Sequence, residues 1–100
     1  MMQKSVKLLH STGTGYVIPA GPVQLVHVVA RLGMVGCGAF DVSALNNFGY
    51  PAARVRPAQG KSIASLEDLL AGIVKDVNTG AEDLGVKVGM KGKEALDLMS

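Results

Sequence analysis

The chain has 100 residues, of which 48% are apolar, 4% aromatic and 18% charged, with a formal net charge of +2. These figures imply one domain over residues 1–100, its core built from Val, Leu, Ile, Ala and Met rather than from rings. The ten Lys and Arg residues are scattered and lack interleaved aromatics, which excludes a nucleic-acid footprint. No apolar run approaches the ~18 residues of a membrane span, and residues 1–5 lack the apolar segment of a secretory signal. One cysteine makes no internal disulfide, so a cytoplasmic location is expected.

In chain order, residues 5–9 alternate imperfectly and read as a strand, followed by a Gly/Ser/Thr turn over 11–15. A second strand, 16–18, is stopped by Pro19-Ala20-Gly21-Pro22. Residues 23–30 carry the strongest β signal, an almost continuous apolar run that predicts a strand covered on both faces. A reversal at 31–33 leads to a fourth strand over 34–39, which makes an antiparallel meander. Asp41 then suits a helix N-cap, with Val42, Leu45 and Phe48 at helical spacing. Residues 52–56 read as an edge strand because Pro57 follows. Ser65 opens a helix over 66–70 in a capping-box pattern, with Asp68 in place of the usual Glu. Residues 73–77 read either as a last strand or as part of a helix continuing through Asp83. Thr79-Gly80-Ala81-Glu82 forms a second capping box, and residues 91–98 make a final amphipathic helix. The fold class expected is α+β: an N-terminal antiparallel meander packed with short C-terminal helices.

The most informative feature is Gly36-Cys37-Gly38-Ala39-Phe40-Asp41, where strand runs into helix. Glycines on either side of the cysteine leave amides uncovered, and a thiol near a helix start is a potential nucleophile. Gly36, Gly38, Ala39, Phe40 and Asp41 are accordingly the candidate ligand-binding residues, and Cys37 the candidate catalytic one. Against each stands a plainer role: a packed cysteine and an N-capping aspartate. His10 and His27 are the only histidines, and their spacing places neither beside Cys37 as a base. The ligand spacing of a metal site is missing, and no cofactor is called for. The glycines of 11–15 lead into a strand rather than a helix, so they are not a phosphate loop. Arg54 and Arg56, two apart, share a strand face and either clamp an anion or stand solvated at an edge.

Four blocks in order carry a resemblance: Gly15-Tyr16-Val17-Ile18-Pro19, the Gly36–Asp41 block, Ser65-Leu66-Glu67-Asp68-Leu69-Leu70, and Gly85-Val86-Lys87-Val88-Gly89-Met90. Together they resemble the YunC-like family, small bacterial and archaeal proteins grouped as a domain of unknown function, from about residue 6 to 96. The resemblance implies an α+β fold whose N-terminal sheet takes part in forming a tetramer. It implies no reaction, substrate or cofactor. The family usually has Asn near Gln24, so any polar task at that position falls here to a longer side chain.

Low charge with a positive mean hydropathy also points to self-association. The expected function is thus a homo-oligomeric binding or assembly module with an anion or ligand site at the Gly36-Cys37-Gly38 turn. The alternative is an enzyme using Cys37 as nucleophile or redox-active thiol. A third reading is a scaffold only, in which charge at Val26 or Val28 should split the assembly.

Overall fold

A computed structural model describes residues 1–60 and 62–100. Six strands lie in sequence order across one sheet: β1 (Met2–Lys7), β2 (Thr12–Ala20), β3 (Val23–Val29), β4 (Met34–Gly36), β5 (Ala52–Arg56) and β6 (Ile73–Val77). β1 to β4 form the expected antiparallel meander. β5 runs parallel to β4, reached by a crossover through α1 (Val42–Asn46), and β6 returns antiparallel to β5. α2 (Leu66–Ala71), α3 (Thr79–Asp83) and α4 (Gly92–Met99) complete an α+β fold.

β5 therefore lies inside the sheet, not at its edge. Ala52 and Ala53 are fully buried there, and Pro57 falls just past the strand, where no ladder amide is required. The turn expected over 11–15 belongs mostly to β2. Its glycines serve close packing instead: a Cβ at Gly15 would lie 2.7 Å from Leu66 Cδ1, so a bare backbone lets α2 settle onto the sheet. The β1–β2 reversal comes earlier, over 8–11, where Leu8 N donates to Ser11 O at 2.9 Å. The β2–β3 reversal is at Gly21-Pro22, where Gly21 takes φ 61°, the left-handed value a tight hairpin turn of this kind needs at its first position.

Two faces of the sheet have different fates. On one, Val17, Val26, Val28, Val35, Val55 and Val74 are buried beneath α2 and α4, which contribute Leu66, Leu69, Leu96 and Met99. Full burial of each large aliphatic side chain is worth about 1.5–3 kcal/mol. Strand ends tie α4 down as well: Leu9 N donates to Asp97 Oδ1 and His10 N to Ser100 Oγ, while Met99 O accepts from Leu32 N. Leu98 points outward and is 41% exposed. On the other face, α1 covers the β4 to β6 end, with Met34, Val42 and Ala52 buried there. Leu25, His27 and Val29 of β3 stay half-buried beside Tyr16 and Ile18 of β2, so β3 is covered on one face and not on both.

Asn78 ties these segments together. Its Oδ1 accepts from Ala52 N and Ala81 N, both at 3.0 Å, and its Nδ2 donates to Val42 O and Tyr50 O at 3.0 and 2.8 Å. It is also the N-cap of α3, the place the sequence pattern assigned to Thr79. One 6%-exposed carboxamide thus holds the start of α1, the end of the crossover, the start of β5 and the first turn of α3. Asn78→Ala leaves four groups without their partner in a largely dry site, and a loss of about 3 kcal/mol or more is expected in urea unfolding. Asn78→Asp at pH 7 should also destabilise, because its carboxylate faces the Val42 and Tyr50 carbonyls.

Candidate functional site

β4 ends at Gly36, and the chain turns through 37–40 before Asp41 caps α1. The Cys37 amide continues the sheet ladder by donating to Val26 O at 2.9 Å, and its carbonyl accepts from Phe40 N at 3.2 Å. That turn uses the Phe40 amide, while those of Gly38 and Ala39 meet no turn or ladder acceptor among the described residues. Asp41 Oδ1 accepts from Ala44 N at 3.1 Å, the capping role its position suggested. The sulfur itself stands four residues before that cap. A five-residue helix so displaced exerts little field on it, since the dipole effect fades within a turn.

The turn residues divide between two places. Cys37, on the helix-covered face and 6% exposed, lines a cleft of about 390 Å³ together with Gly38. Gln24, Arg56 and Lys75 are polar members of its wall; Val23, Val55 and Ile63 are apolar ones. Ala39, Phe40 and Asp41 instead line a hollow of about 300 Å³ with Ser43, Arg54 and Asp76. Gly36 lies buried between them. A Cβ there would come within 2.5 Å of Phe40 Cδ2, so the bare residue makes room for the ring.

Arg54 and Arg56 do not form one clamp. Arg54 Nε pairs with Asp76 Oδ2 at 2.5 Å and its Nη1 donates to Gly38 O at 3.1 Å, while Arg56 lines the Cys37 cleft. The second cation of the cleft, Lys75, was not singled out in the sequence. The register explains it: Arg54 faces Asp76 and Val55 faces Val74, so Lys75 is the extra residue of a β-bulge. No composition or spacing signal announces a bulge.

His27 lies on the opposite face from Cys37. Its ring stacks on Tyr16 at 4.9 Å and 18°, and meets Phe40 at 4.9 Å and 54°. Its Nδ1 is buried without a hydrogen-bond partner among the described residues, and burial pushes its pKa below the ordinary value. It is not placed to take a proton from the thiol. No group of three or more His, Cys, Asp or Glu side chains gathers among the described residues as a metal site would require.

A family model described as a domain of unknown function, DUF1805, matches residues 36–99. The chain belongs to this family. The match opens on the Gly36-Cys37-Gly38 turn and runs to the end of α4, so β1 to β3 lie outside it. The chain is 38% identical over 64 residues to "Uncharacterized protein YunC" of Bacillus subtilis (strain 168), a match covering 64% of this chain and 62% of that protein's length. In fold it resembles a protein of unknown function, TA1206 from Thermoplasma acidophilum. The TM-score is 0.87 at 19% identity, over 99% of this chain and 92% of the other. Among the described residues no helix is long and apolar enough to cross a membrane.

The lowered pKa of His27 has a direction that can be measured. The unfolded chain takes up a proton as pH falls through about 6.5, whereas the folded chain resists it. The stabilising difference is therefore present above that pH and lost below it. The urea midpoint should fall between pH 7.5 and 5.5, and His27→Gln should show a smaller fall over the same interval.

Proposed function

We propose that this protein is a homo-oligomeric binding module whose cleft beside the Gly36-Cys37-Gly38 turn takes a small anionic ligand. One observation carries the reading: Arg56 and Lys75 line the cleft that Cys37 lines, with no Asp or Glu among its described lining residues. Unbalanced positive charge at a recess with an apolar floor attracts an anion and holds it more strongly than open solvent allows. The uncommitted amide of Gly38, which lines the cleft, adds a donor of the same sense. Thermal unfolding in the presence of phosphate, acetate and longer carboxylates tests this. An anion at one hundred times its dissociation constant should stabilise by about 2.7 kcal/mol. Arg56→Gln with Lys75→Gln should abolish the effect, and an unfolding temperature indifferent to every anion would end the proposal.

Self-association belongs to the other face. Tyr16, Ile18, Leu25, His27 and Val29 form a half-buried apolar surface on β2 and β3, and a second copy laid on it would remove that surface from water. The resemblance to the YunC-like family, with its tetramer built on the N-terminal sheet, agrees with this choice. Val26 and Val28 are the wrong places to probe it. Both are 0% exposed within one chain, so charge there would unfold each protomer rather than separate it from its neighbour. Leu25→Glu is the suitable variant: a smaller species in light scattering, with circular dichroism unchanged, is the expected result.

The second reading, Cys37 as nucleophile or redox-active thiol, draws on the same cleft, whose wall the thiol shares with Arg56 and Lys75. It lacks a general base: no histidine or carboxylate is among the described lining residues. Alkylation of Cys37 faster than that of a free thiol at neutral pH would support it, and an inert Cys37 in the native protein would remove it.

A further inference from the structure

The cleft has a location, a charge and a floor, and together they specify more than an anion. It lies where the one parallel pair among the described strands, β4 and β5, ends: Cys37 and Gly38 follow the first, and Arg56 and Pro57 close the second. Chain leaving two parallel strands in different directions opens a crevice at their carboxyl ends, the place where ligands settle in sheets containing such pairs. Lys75 reaches this crevice because the bulge in β6 removes it from the ladder. The cationic side chains therefore come from two neighbouring strands and share one recess.

Its floor is not built for a bare inorganic ion. Val55 and Ile63 are 1% and 7% exposed, and the Cys37 thiol beside them behaves as a small apolar group. Val23, at the start of β3, also lines the cleft and is left 56% exposed, a large aliphatic surface without cover. A volume of about 390 Å³ exceeds what phosphate or acetate fills and falls within the usual span for small organic ligands, roughly 300–1,000 Å³.

We infer that the cleft binds an amphiphilic anion: an aliphatic carboxylate whose head lies at Arg56 and Lys75 and whose chain covers Val23, Val55 and Ile63. This rests on the cleft being the anion site proposed above, and adds the body of the ligand and the residues that receive it. Charge selects the head, because two cations stand without a carboxylate among the described lining residues to neutralise them. Apolar area selects the chain, because each methylene moved from water onto the floor tightens binding.

Calorimetric titration of the full chain with acetate, butanoate, hexanoate and octanoate is the test, with octylamine and 1-octanol as controls of charge and inorganic phosphate as a control of body. Affinity should rise by about two- to fourfold for each added methylene. Octanoate should bind at least tenfold more tightly than octylamine or 1-octanol. Arg56→Gln and Lys75→Gln, each at an exposed or rim position, should weaken every carboxylate about equally and leave the chain-length slope intact. Val23→Ser should flatten the slope and spare acetate. If phosphate or acetate binds as well as octanoate, the amphiphilic ligand is overturned and the anion site stands. If the alcohol or amine binds as well as octanoate, the head-group assignment is overturned. Absence of binding by every anion overturns both the site and its ligand.

Discussion

A single buried carboxamide sets the arrangement on which the rest of this fold depends. A parallel strand pair cannot be closed by a tight turn, so the chain between β4 and β5 must leave the sheet and come back to it. α1 is too short to hold itself, since a helix of five residues lies far below the length stable alone in water. Asn78 supplies what is missing by gripping both limbs of the crossover, at Val42 and Tyr50, while capping α3. All four of its hydrogen-bonding positions are in use, which is the condition under which a buried amide stabilises rather than weakens a core.

The two faces of the sheet follow from this division. Where α2 and α4 lie, small or absent side chains at Gly15 and Gly92 allow close approach; a Cβ at Gly92 would run into the Leu69 carbonyl. Where α1 lies, cover reaches the β4 to β6 end of the sheet, because the crossover is anchored there and is too short to extend across the meander. Tyr16 stacked on His27, with Phe40 tilted against the same imidazole, marks the boundary between covered and uncovered halves. Cys37 and His27 thus stand on opposite sides of one sheet, a consequence of strand alternation that separates thiol chemistry from imidazole chemistry.

Much of the fold was legible because it rests on local rules. The meander and the Asp41 and Ser65 caps follow from side-chain alternation or from a short polar residue beside a free amide, whereas the strand over 73–77 was one of two readings until its pairing with β5 decided it. What misled was context. Glycines at 13 and 15 have the composition of a turn, yet they lie in a strand, where Gly13 is crowded by Val29 O and Leu8 and Gly15 by Leu66 of α2. Pro57 suggested an edge, yet it sits beyond the last ladder position of an inner strand. At the cleft, Cys37 and Gly38 could be picked out because glycines around a lone cysteine are unusual. Lys75 could not, since its position depends on a register shift between strands twenty residues apart.

By itself the sequence determined the class of fold, the order of the meander strands and the helix starts at Asp41 and Ser65, and it singled out the Gly36-Cys37-Gly38 turn. These depend on residues near one another in the chain, where propensity and hydrogen bonding act without reference to the whole. Tertiary structure alone decided that β5 runs inside the sheet, that Arg54 and Arg56 serve different sites, and that Arg56 and Lys75 meet at one cleft. Those outcomes turn on strand order, register and the grip of Asn78, which come from contacts between distant segments and leave no periodic trace along the chain.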